Sequence, residues 1–140
     1  MIRGATSRRW PGRAVSILLA AVCIGPAARA EEAITLPSGM VVTYLDTVHA
    51  APGPEGLTVR FRFLAPQIAG QEAGEETLSD MTWLCENYAL PRIPVTGPVP
   101  SQVIITLADR PVEFGAADPE ATQYFEAFRP EGGTCEWEVF

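Results

Sequence analysis

The 140-residue chain contains no lysine; its ten cations are all arginine, set against seventeen acids, one histidine and three cysteines. Without a lysine there is no ε-amine for Schiff-base chemistry. A formal charge of −7 denies the chain the basic surface that nucleic-acid binding requires. Long apolar runs are missing too. The longest, residues 14–24, has 11 residues, against the ~20 that span a bilayer. Neither C-x-x-C nor G-x-S-x-G occurs, so no thioredoxin-type redox pair or serine-hydrolase elbow is encoded. At this length a single domain is expected, with no room for a doubly wound nucleotide domain beside a substrate domain.

What is present begins with a segment that reads as an export signal. Arg3, Arg8, Arg9 and Arg13 form a basic start without an acid, followed by the apolar run at 14–24. Gly25 and Pro26 break that run, and Ala28-Arg29-Ala30 offers small residues at −3 and −1 of a cleavage site. Cleavage is expected after Ala30. Arg8-Arg9 raises a twin-arginine signal, but Pro11 and Gly12 stand where apolar residues would follow, so ordinary unfolded export is favoured. Cys23 as a lipidation site is disfavoured by the bulky Val22 before it, and it is expected to leave with the signal.

Removing residues 1–30 changes the charge balance. The remaining 110 residues hold five arginines and all seventeen acids, a net charge of −12. Two cysteines remain, Cys85 and Cys135. In an oxidising compartment an even count points to a disulfide; a free catalytic thiol or a metal pair is the alternative. Zinc wants four N/S ligands, and only Cys85, Cys135 and His49 are on offer, so no metal is expected.

Patterning along residues 31–140 predicts an α+β fold: one mainly antiparallel sheet with two helices, in the order β-β-β-α-β-(β)-α-β. Residues 31–48 read as a short strand, a Pro37-Ser38-Gly39 turn and a longer strand, and residues 50–56 as a loop. Residues 57–64 alternate, with Leu57, Val59, Phe61 and Phe63 on one face and Thr58, Arg60, Arg62 and Leu64 on the other. Thr77 is expected to cap a helix over 78–89 that carries the stripe Met81, Leu84, Cys85 and Tyr88, with Pro91 ending it. Residues 102–108 are apolar on both faces, as in a central strand. Residues 110–115 are read as an added short edge segment. Asp118-Pro119, followed by Ala121, Tyr124, Phe125 and Phe128, predicts the second helix. Residues 135–140 alternate again as the last strand.

The blocks RFRFLAP (60–66), DMTWLCENYALP (80–91), RPVEFG (110–115) and TCEWEVF (134–140) resemble a family of small exported bacterial single-domain proteins, of alphaproteobacterial type, whose function is unknown. The resemblance implies one exported domain. It brings no activity, cofactor or catalytic residue.

Few residues carry chemistry. His49, with Asp46 three residues before it, is the weak candidate for a general base and its acid in a small hydrolase. Arg60 and Arg62 share a strand face and could hold a small anion; the favoured reading is that they pair with Glu136 and Glu138 on the last strand, which would then lie alongside. Glu72, Glu75, Glu76 and Asp80 could be read as a calcium site, but acids entering a helix N-terminus are favoured there by the dipole. Trp83 lies off the helix stripe and, if exposed, would be a partner contact; Trp137 is expected in the core. The reading favoured is a non-enzymatic binding or accessory module, periplasmic or secreted. It would engage a protein partner and need no cofactor, no nucleic acid and, after signal cleavage, no membrane anchor.

Overall fold

The computed structural model describes residues 31–53 and 56–139, together with Gly4 and Gly12. The expected export signal and Cys23 therefore lie outside the described residues. Six strands form one sheet in simple sequence order: β1 (Ala33–Thr35), β2 (Val41–Gly53), β3 (Gly56–Leu64), β4 (Gln102–Ala108), β5 (Gln123–Glu131) and β6 (Thr134–Glu138). All neighbours are antiparallel except β3 and β4, which run parallel. A parallel pair needs a crossover, and residues 65–101 supply it with a 3-10 turn at Pro66–Ile68 and the one long helix among the described residues. That helix, α1 (Glu75–Leu84), continues as a π turn over Cys85–Ala89 and a 3-10 turn over Leu90–Arg92.

The expected two-helix α+β arrangement is thereby corrected to a six-stranded sheet with a single helical run. The second helix is strand β5. Tyr124 and Phe128 lie four apart, a spacing that shares one face in a helix and in a strand alike. Phe125 separates the two cases: on β5 it turns to the opposite face and is 57% exposed, while Phe128 is fully buried. Asp118-Pro119 starts no helix because Asp118 closes a turn instead, accepting from Glu120 N–H (3.0 Å) through its side chain and from Ala121 N–H (3.2 Å) through its carbonyl. Asp109 then fixes the entry to β5, accepting from Thr122 N–H at 2.9 Å.

Other boundaries shift for similar local reasons. Residues 50–53, expected as loop, pair with β3 through Ala51↔Thr58, Pro52↔Leu57 and Gly53↔Gly56. Gly56 makes this possible, since its φ of +112° is open chiefly to glycine. Thr77 is the third residue of α1 rather than its cap; its hydroxyl accepts from the N–H of Gly74, the capping residue (3.3 Å). Pro91 does not end the helical run, because a proline is tolerated at the start of the 3-10 turn it enters. Residues 110–115 form no strand.

The core lies between the helix and one face of the sheet. Val42, Val59, Phe61, Phe63, Val103, Ile105, Leu107 and Phe128 meet Met81, Leu84, Cys85 and Ala89 there. The predicted central strand β4 is buried along its whole length. Trp83 is partly buried against this core, so it presents no open patch. Trp137, expected inside, is 47% exposed, with its indole N–H donated to Glu126 at 2.7 Å.

Two polar ties hold the helix. At its N-terminal half Asp80, 1% exposed, accepts from Ser38 N–H (3.1 Å) and Ser38 O–H (2.5 Å) in the turn before β2. At its far end Cys85 and Cys135 form a disulfide, closing a sequence separation of 50 residues between helix and β6. Glu86 adds a carboxylate that accepts from Cys135 N–H at 3.1 Å. A cross-link of this loop length stabilises by about 4 kcal/mol in the chain-entropy model.

Replacing both cysteines, Cys85→Ala with Cys135→Ala, should lower unfolding free energy by about 2–4 kcal/mol in urea. An unchanged midpoint would remove the disulfide from the account. Asp80→Ala should cost about 1–3 kcal/mol, because it removes two hydrogen bonds from the exposed Ser38 turn to a buried carboxylate and leaves a gap in the helix–sheet layer.

Candidate functional site

The sheet's two faces carry different chemistry. On the face away from the helix, polar side chains are consumed by one another. Arg62, buried at 8% exposure, donates from Nε to Asp46 Oδ1 at 2.6 Å, from Nη2 to Asp46 Oδ2, and from Nη1 to the Val112 carbonyl at 2.6 Å. The bond to Asp46 holds its pKa above the ordinary arginine value against the opposing effect of burial. Thr58 donates to Gln102 (3.4 Å), Gln102 to Glu138 (3.0 Å), and Arg129 to Glu138 (3.4 Å) and Glu136. Glu136 and Glu138 therefore pair with Arg129 on neighbouring β5. Two strands separate them from Arg60 and Arg62 on β3, so the expected Arg–Glu ladder between β3 and β6 is not formed.

Arg60 is the exception on this face. Its Nη1 donates to Thr106 Oγ1 at 3.2 Å and its guanidinium lies 5.4 Å from the Phe114 ring centroid. Among the described residues its buried Nε has no hydrogen-bond partner. Burial, and then the neighbouring Arg62 charge, push its pKa down.

The helix face is different where it approaches the β2–β3 hairpin. Tyr44 stacks on Tyr88 at 5.6 Å, and Tyr88 meets Phe63 edge-on at 5.1 Å and Phe61 at 6.3 Å. The π turn is what carries Tyr88 there, one turn beyond the disulfide cysteine. Arg92 lies over the Tyr88 ring at 3.5 Å and donates to the Tyr88 carbonyl at 3.0 Å. The Tyr44 and Thr47 hydroxyls share a hydrogen bond of 2.8 Å.

Around this cluster lie two adjoining hollows. One, of about 340 Å³, is lined by Tyr44, Thr47, His49, Phe61, Tyr88 and Arg92. The other, of about 220 Å³, is lined largely by apolar groups of β3 and of the proline-rich connector, among them Leu57, Val59, Ile93, Pro94 and Pro98. His49, Phe61 and Arg92 border both. Together they make a groove with an apolar trough, an aromatic basin and two groups able to bear positive charge. Among the described residues no acidic side chain lines either hollow. Val95 and Val99 on the bordering connector are 99% and 75% exposed.

His49 lies at a hollow, but Asp46 is not with it. The Asp46 carboxylate is on the other side of the sheet, bound to Arg62. Among the described residues no carboxylate faces His49 across the groove, and no group of three or more His, Cys, Asp or Glu could hold a metal ion. Asp80 of the acidic run is occupied by Ser38, and Glu75 and Glu76 sit in the first turn of α1. Arg92, Tyr44 and Tyr88 were missed in the sequence. Arg92 stands between two prolines in residues 91–100, which read as an extended connector, while Tyr88 reads only as part of the helix stripe and Tyr44 only as part of a strand.

Burial raises the Tyr88 phenol above its ordinary pKa; Arg92 opposes this, while Tyr44 and Glu32 add to it. A folded-state value raised for an acid means the neutral phenol is favoured, so its contribution is lost as pH climbs past the ordinary tyrosine value near 10. Spectrophotometric titration should therefore show a late-ionising phenol that is absent in Tyr88→Phe. An unchanged titration curve in that variant would contradict the burial of this ring.

No curated protein and no solved structure matches the chain, and among the described residues no helix is long and apolar enough to cross a membrane. One family model does match, over residues 19–140, and on that coverage the chain belongs to DUF6497, a family of unknown function.

Proposed function

We propose that this is an exported, non-enzymatic binding module, periplasmic or secreted, that engages a protein partner through the groove at Tyr44, His49, Phe61, Tyr88 and Arg92. The observation that carries the reading is the contrast between the faces. The charged groups of the opposite face are largely neutralised by internal pairs, whereas the groove leaves Arg92 and His49 at the mouth of an apolar trough. Convergent polar groups on a preformed apolar hollow are the common form of a binding site. Arginine and aromatic side chains dominate the energetics of protein contacts. The disulfide, the signal-like first thirty residues and the acidic remainder support export. Hydrolysis at His49 has less support, since its candidate acid Asp46 is engaged elsewhere.

The test is capture from periplasmic extract by the wild-type protein, by Arg92→Glu and by Arg129→Ala, with mass spectrometry of what co-purifies. A partner held by wild type and Arg129→Ala but lost by Arg92→Glu is the expected result. Equal retention by all three contradicts the groove reading. Export is checked separately by N-terminal sequencing of the exported product, which should begin at Glu31.

A second reading rests on Arg60. Its unpartnered Nε and its lack of any ion pair among the described residues support a small-anion site beside Phe114, with Arg60 rather than the Asp46-bound Arg62 as the principal ligand. Phosphate should then raise the melting temperature of wild type and not of Arg60→Gln. Equal shifts in both would count against it.

A further inference from the structure

The groove lies against an unusual sheet edge. β1 is three residues long and covers only Val41–Thr43 of β2, through Ala33↔Thr43, Ile34↔Val42 and Thr35↔Val41. β2 itself runs on to Gly53. Among the described residues, the outer edge of β2 from Tyr44 onward carries no partner strand. An uncovered edge presents a row of backbone donors and acceptors, and proteins commonly blunt it with charge or keep it short. The other edge obeys this rule: β6 has five residues, with Glu136 and Glu138 among them. Along residues 44–49 of β2 the only acid is Asp46, which is turned to Arg62, and there is no arginine. Two register shifts, at Tyr44/Asp46 and Val48/Ala51, leave Asp46–Val48 regular between them.

Resting on the groove reading above, we infer that the partner contributes an extended, acidic polypeptide segment that adds as a strand to the outer edge of β2 over residues 44–49, in line with β1. Main-chain pairing of this kind supplies affinity, and pockets for alternate side chains supply specificity. Every second side chain of such a strand faces the helix side of the sheet, where the aromatic basin lies. A carboxylate there meets Arg92 and His49; among the described residues no acid lines the two hollows, and Glu32, which acts on Tyr88 from the end of β1, is the nearby acid such a strand must pass. Charge also ranks the other occupants lower. A second copy of this chain would bring a second Arg92 and His49 to the same place. The chain's own residues 1–30 hold five arginines and no acid.

The probe is the fluorescent heptapeptide acetyl-Thr-Val-Glu-Val-Glu-Val-Thr-amide, used with the protein purified as the cell exports it. Two analogues accompany it, one N-methylated at alternate residues and one with both Glu replaced by Gln. Anisotropy gives affinity, and amide hydrogen exchange gives location. The heptapeptide should bind and slow exchange over residues 44–49. N-methylation should weaken it at least ~10-fold by blocking the strand hydrogen bonds. Gln replacement should weaken binding to wild type by roughly 5–10-fold and have little effect on binding to Arg92→Gln. Absence of binding, slowing confined to residues 134–138, or exchange of the outward-facing amides of 44–49, those not bonded to β3, already slow without peptide would overturn the inference; the last assigns the edge to a second copy or to the chain's own N-terminal residues. If Arg92→Gln weakens the Glu peptide while N-methylation does not, strand addition fails and the groove reading survives. If neither change matters, both fail.

Discussion

The structure depends on how one helical run is fixed against one face of a six-stranded sheet. A single helix over a curled sheet is a thin layer, and its orientation is set by two anchors. Asp80 holds the N-terminal half to the Ser38 turn, and Cys85 holds the far end to Cys135 on the last strand. The first anchor reaches the β1–β2 end of the sheet and the second reaches the β6 end, so the helix is tied across the full width. The π turn begins at the disulfide cysteine. The position of everything after it, including Tyr88 and Arg92, follows from that tie.

This tie connects stability to the candidate site. Without it, Tyr88 would be held over Tyr44, Phe61 and Phe63 by its ring contacts and the packing of Met81, Leu84 and Ala89 alone, and the platform on which the Arg92 guanidinium rests would be less firmly placed. The proline-rich connector contributes from the other side. Prolines restrict the backbone before any ligand arrives, which lowers the ordering cost of binding. The crossover between the parallel strands β3 and β4 therefore does two things. It supplies the helix layer, and it walls the groove.

Much of the sheet was legible in the sequence because its signals were local. Strict alternation over residues 57–64 and a continuous apolar run over 102–108 gave β3 and β4 almost to the residue, and Val/Thr/Tyr content gave most of β2. The cysteine count gave the disulfide. The failure at residues 118–128 has a physical cause: Tyr124 and Phe128 satisfy both periodicities, and Asp-Pro serves a turn as well as a helix start. Topology was less accessible, because the partners of Arg60, Arg62, Glu136 and Glu138 depend on strand order, which no local pattern states. His49 was visible as a solitary titratable group. Its groove was not, since Arg92 joins it only through the crossover.

The central claim is that this protein acts through the groove between the β2–β3 hairpin, the end of the helix and the connector. Site-specific photo-crosslinking in the native cell tests it most directly. A benzophenone side chain at position 47, inside the groove, should give a discrete polypeptide adduct, while the same group at position 136, on the opposite face, should give none. An adduct at 136 with none at 47 would place the functional surface on the wrong side of the sheet for this account.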